Sequence, residues 1–158
     1  MQVRGIRGAI TVESNTREAI LDATRELLGE LISTNDVHPG DVASAWFTMT
    51  SDLNAEFPAV VARQHFGWTN VALECLQEMD VPGSLRLCLR ILLHLNTERT
   101  QDQICHVYLR GAAVLRPDLP NGERFDVLAD GAGSVCGGAA VDQVHGGAAD
   151  YRPVRNAG

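Results

Sequence analysis

The sequence predicts an α+β fold, a mixed β-sheet of about five strands with helices on one face. Two patterns carry that expectation. Helix-like and strand-like segments alternate at first and then give way to strands toward residue 119. Beyond that point no apolar periodicity survives. A chain of 158 residues is one domain by default and long enough to bury a core.

Residues 3–12, VRGIRGAITV, alternate as a strand does, with Val3, Gly5, Arg7 and Ala9 on one face. A helix follows in residues 14–36. Asn15 or Thr16 can cap it, Glu18 supports its first turn, and Ile20, Thr24, Leu27 and Leu31 recur at helical spacing. The run HPGD ends that unit. Residues 42–50 predict a second strand. Residues 57–67 predict a short helix, with Pro58 in its first turn and Gly67 after its end. Residues 70–76, 86–96 and 105–115 predict the third, fourth and fifth strands.

The fourth strand, RLCLRILLHLN, poses a question. Leu89, Ile91, Leu93 and Leu95 fall on one face, and Cys88, Arg90, Leu92 and His94 on the other. Both faces are largely apolar, so the segment is expected to be buried on both sides. The guanidinium of Arg90 then needs a partner or a charged ligand.

Residues 120–158 differ in kind. Eight of the 15 glycines lie there. A flexible Gly/Ala-rich C-terminal tail is expected, which puts the folded domain at residues 1–119. The tail carries three arginines against five acids, −2, and residues 1–119 carry ten against 15, −5. The tail is therefore neither an acidic nor a basic arm.

Composition narrows the function. The net charge is −7, and all 13 basic residues are arginine. An acidic surface argues against nucleic acid as the main partner, yet a local arginine cluster can still attract a small anion. No apolar run approaches the ~18 residues of a membrane span, and arginines stand where a signal peptide would be apolar. A soluble cytoplasmic protein is expected. The four cysteines have no CxxC pairing and are expected as reduced thiols. The five histidines are scattered, so no metal site is expected.

Chemistry concentrates in arginines on strands. Arg7 lies mid-strand beside Gly5 and Gly8, which allow a close approach to the backbone. Arg90 and Tyr108 lie mid-strand, and Arg116 follows the last strand. Cys75 and Glu78 stand three apart where a strand ends, and in a turn they can converge. A single strand arginine more often serves a salt bridge, and a lone tyrosine is usually core. Together these residues offer several guanidinium forks, a phenol and one carboxylate. Such a set suits a small polyanion that also carries a hydroxyl.

The same segments resemble a known family. RGIRGAITV, FPA with Arg63 after it, Gly67–Trp68, QEMDV, Arg90, HVYL and VLRPDL are similar to the AroH-class (Bacillus-type) chorismate mutases. The likeness is colinear over residues 1–119 and does not cover the tail. It implies an α/β homotrimer forming a pseudo-barrel, with active sites in clefts between subunits, completed by a neighbour's residues around Phe57 and Arg63. It implies the cofactor-free Claisen-type rearrangement of chorismate to prephenate, the branch toward phenylalanine and tyrosine. By position, Arg90 is expected to donate to the breaking ether oxygen and the side-chain carboxylate. Arg7 and Tyr108 are expected to hold that carboxylate. Glu78, with Cys75, is expected to orient the ring hydroxyl. Phe57, Ala59, Leu73 and Leu115 are expected to wall the pocket, with Arg63 and Arg116 near the ring carboxylate. The chain departs from the family pattern at Val60 and Glu74, which remove a cation from the rim and add an anion.

The residues fit that reaction independently. It is unimolecular and requires no nucleophile, proton transfer or metal, and the sequence offers no motif for any of them. What helps is a compact conformer and fixed positive charge at the ether oxygen. Two alternatives stand beside this reading. One is a trimeric imine deaminase of the RidA type, which leaves QEMDV and VLRPDL unexplained. The other is a non-catalytic trimer that binds a carboxylate metabolite.

Overall fold

The computed structural model describes residues 1–118, so the expected tail lies outside the described residues. Five strands form one mixed sheet: β1 (Gln2–Thr11), β2 (Val42–Met49), β3 (Ala72–Gln77), β4 (Cys88–Thr97) and β5 (Val107–Leu109). Their order is β3-β2-β4-β1-β5. β4 runs antiparallel to both neighbours, while β2–β3 and β1–β5 are parallel.

Two helices, α1 (Arg17–Asn35) and α2 (Ala59–Gln64), pack on one face. Thr16 caps α1, its hydroxyl accepting from the Ala19 amide at 3.3 Å. Ile20, Leu27, Leu28 and Leu31 pack on Ile6 and Ile10 of β1, Phe47 of β2, and Leu89, Ile91 and Leu93 of β4. Gly8 has a steric reason. A Cβ there would lie 2.9 Å from the side chains of Leu27 and Leu31, so the close approach belongs to α1. At its far end α1 stops at Asp36, in the left-handed region with φ 53°. The buried Asn35 amide donates to the Leu31 and Cys105 carbonyls and accepts from the Cys105 amide at 2.8 Å. That side chain fixes the approach to β5.

Three sequence expectations change. The fifth strand is three residues long, and residues 110–115 form a 3-10 turn instead. Arg110 turns the chain with φ 51°, and the Gly111 amide donates to Thr11 Oγ1 at 3.0 Å. β4 is buried on its helix face at Leu89, Ile91, Leu93 and Leu95, and on the other face only at Cys88. Both helices lie on the other side of the sheet from Arg90, Leu92 and His94, which are partly exposed. Finally, Cys75 and Cys88 are free thiols, but Cys105 is disulfide-bonded, so the reading of four reduced thiols fails there. Among the described residues no helix is long and apolar enough to cross a membrane.

Candidate active site

The face without helices carries the charged groups. Strand pairing sets Thr48, Arg90, Ala9 and Tyr108 in one row across β2, β4, β1 and β5. Ala9 is a low floor between Arg90 and Tyr108. Tyr108, Cys88 and Ala112 pack around it, with Leu85 and Leu115 beside them. Arg7 is two residues along β1 from Ala9, and so on the same face.

Arg90 and Glu78 form a pair at 2.7 Å between Nη1 and Oε2, the two side chains 26 % and 23 % exposed. The other Glu78 oxygen accepts from the Thr48 hydroxyl. The Glu78 amide donates to the Met49 carbonyl at 2.9 Å, which holds the loop against β2. Thus Arg90 has an acidic partner within the chain, yet its Nε–H is buried without one. The Tyr108 hydroxyl is likewise buried and makes no hydrogen bond of ordinary geometry, although the Arg116 guanidinium lies beside it. A buried donor without an acceptor is costly, which marks a place where a ligand group fits.

At the edge of this face Arg116 forms a forked pair with Asp118, at 2.9 and 2.7 Å. The Arg116 hydrogen bond holds the Asp118 carboxyl down to about 2. In return, the hydrogen bond to Asp118 raises the already high Arg116 value, and Tyr108 is near enough to add to it. Burial pushes the Cys88 thiol up, with Arg90 pulling the other way. The Arg7 guanidinium makes no hydrogen bond or ion pair among the described residues.

The remaining expected residues lie elsewhere in the chain. Ala59 and Arg63 are on α2, and Cys75 pairs with Phe47 across β2–β3, facing the helices. Burial raises the Cys75 thiol, against the pull of the Ala59 amide and the Arg63 guanidinium. Leu73 shares that face, and Phe57 is 67 % exposed before α2. Glu74 is exposed, accepting from the Cys75 amide at 3.3 Å. Within one chain, then, Cys75 and Glu78 do not converge. The structure unites Arg90, Glu78, Tyr108, Leu115 and Arg116, with Arg7 nearby. It holds Phe57, Ala59, Arg63, Leu73 and Cys75 apart from them.

Sequence reasoning missed three contributors. Thr48 shares the outward face of its strand with Ser44 and Trp46, and that alternation could have flagged it. Alternation puts Cys88 on the face of Arg90, but nothing in the sequence singles it out. His106 accepts from the Arg7 amide at Nδ1, 3.1 Å away. Among the described residues no cluster of three or more His, Cys, Asp or Glu could hold a metal ion.

Residues 3–119 match a family model described as chorismate mutase type I. The chorismate mutase AroH of Bacillus subtilis (strain 168) is 49% identical over 119 residues, 75% of this chain and 94% of that protein. The chorismate mutase AroH of Thermus thermophilus is 49% identical over 122 residues, 77% of this chain and 99% of that protein. Among solved structures, the chorismate mutase from Clostridium thermocellum matches with a TM-score of 0.68 and 48% identity. It covers 70% of this chain and 97% of that one. These likenesses favour neither the imine-deaminase nor the binding-protein alternative.

Proposed function

The chain belongs to the chorismate mutase type I family and is a chorismate mutase, an isomerase; from that premise we propose how its residues carry the reaction. The substrate is chorismate and the product prephenate, the precursor of phenylalanine and tyrosine. One molecule rearranges: the ether C–O bond breaks as a C–C bond forms, and negative charge gathers on the ether oxygen.

The observation that carries the reading is Arg90. Glu78 holds one end of the guanidinium, and the buried Nε–H is unspent. A fixed cation with a free donor is preorganised for a developing oxyanion. Arginine suits the task because it stays charged at any working pH. Arg90 and Tyr108 are two strands apart, roughly 10 Å between backbones. In this reading the substrate lies over Ala9, the residue paired with both. Arg7 and Tyr108 take the side-chain carboxylate there, and Arg116 exchanges Asp118 for the ring carboxylate. Leu115 closes one wall, and Glu78 orients the ring hydroxyl.

The helix-side group completes the cleft from a second copy. Phe57, Ala59, Arg63, Leu73 and Cys75 come from the neighbour, with Glu74 at the rim, in a homotrimer. The exposed Trp46, Leu76 and Val3 support an assembled state, since all three project from the open face or its edges. Cys75 brings a protonated thiol, able to donate to a hydroxyl. The catalytic domain is residues 1–119. The reading includes a cytoplasmic location.

The test is direct. Purified protein is incubated with chorismate, and its absorbance should decay as prephenate forms. Persistence of chorismate would refute the activity. Light scattering should report about three times the 17.1 kDa chain mass. A fully active monomer would refute the shared cleft.

A further inference from the structure

His106 stands where β5 begins, two residues before Tyr108 and beside Arg7 across the parallel β1–β5 pairing. Its Nδ1 accepts from the Arg7 amide at 3.1 Å. The ring is half-buried. Burial, then the Arg116 and Arg7 guanidiniums, hold its protonation below the ordinary histidine range. A neutral imidazole that accepts at Nδ1 carries its hydrogen on Nε2. His106 therefore stands between two arginines of the candidate site and repels neither.

We infer that His106 is the positioning residue for Arg7, anchoring its backbone to the end of β5 so that Arg7 and Tyr108 present their polar groups to one carboxylate. The inference rests on the chorismate reading for what Arg7 binds, and deepens it. β5 has only three residues, so its ladder to β1 is short. The side chain of His106 extends that ladder by one bond on the side of Arg7. The Asn35 amide fixes the preceding Cys105 from the helix side. The segment carrying His106 is thus held by α1 at Cys105 and by β1 at His106. Because the same carboxylate is held before and during the rearrangement, a loosened Arg7 acts on substrate affinity rather than on the chemical step.

Two near-isosteres separate the ring nitrogens. His106→Asn keeps an acceptor where Nδ1 stands, and His106→Gln keeps a polar group only where Nε2 stands. In the full-length protein with chorismate, H106N should keep KM within about twofold of the unsubstituted chain. H106Q should raise KM about five- to tenfold, the scale of one lost hydrogen bond, with kcat within about threefold. Exchange of the Arg7 amide, followed by NMR, should remain slow in the unsubstituted chain and H106N and become fast in H106Q. The inference is overturned if H106Q is normal and H106N impaired, for then Nε2 does the work. It is also overturned if both variants lose equally, if neither loses, or if the losses follow melting temperature. If the unsubstituted chain leaves chorismate untouched while the exchange pattern holds, the chorismate reading fails and the positioning stands.

Discussion

Arg90 and Arg116 carry the same side chain on the same face, yet they are prepared in opposite ways. Arg90 is partly buried, pinned at one end by Glu78, and keeps a buried Nε–H unspent. Arg116 lies at the edge with its fork closed on Asp118, whose side chain is 60% exposed. The inner arginine loses no partner when a ligand arrives. The outer one must release a carboxylate before it can accept another. An inner cation so held can act on the reacting bond, whereas an outer one can only trade one anion for another.

The largest effect should come from removing the inner charge. Citrulline at position 90 keeps the shape and most donors, and kcat should fall by at least about 10³-fold in a folded protein. Arg90→Ala should lose as much, and Arg90→Lys should recover only part, since it lacks the fork. Turnover that survives citrulline while the melting temperature drops would make Arg90 a partner of Glu78 and nothing more. Next comes Arg116→Ala, expected to raise KM about tenfold with little change in kcat, an effect that shrinks as salt is added. A large fall in kcat there would erase the distinction between the two arginines. Asp118→Asn should work in the other direction. With the fork released, KM should fall by about two- to threefold, within the scale of an exposed ion pair.

The smallest effect concerns pH. The folded state holds His106 protonation below its ordinary value. The unfolded chain therefore binds a proton first as pH falls, and the associated stability is present above the ordinary histidine range and lost below it. The melting temperature should drop between about pH 7 and pH 5, and less so in H106N. Equal drops in both chains would show that His106 does not carry it. Across all of these variants a chelator should leave the rate unchanged if, as proposed, guanidiniums carry the reaction.

Much of this was legible because strand alternation is a short-range rule. The period-two pattern of residues 86–96 put Arg90 and Leu92 on one face and the core leucines on the other, as observed. The cap of α1 at Thr16 was equally local. The convergence of Cys75 and Glu78 failed for the same rule. β3 runs on through Gln77, and an odd number of steps along a strand reverses the face. Arg90's partner was not legible as such, because Glu78 reaches it through the loop between β3 and β4. The shortened β5 was missed because the turn at Arg110 takes a left-handed conformation that neither its side chain nor its neighbours announce. The candidate residues divide between the two faces of the sheet, and the spacing within β3 encodes part of that division.

The strand order also sets a timetable. β1 is the first element made, but its ladder partners are β4 and β5, with Gln2 opposite Thr97. At ribosomal speed those partners follow on the order of ten seconds later. For that interval a strand bearing Ile6, Ala9 and Ile10 has both edges unpaired, the situation in which chains join one another. Arg4 and Arg7 interrupt the apolar run within it, as gatekeeping charges do. The arginine proposed for substrate binding in the finished protein would thus also guard the nascent one.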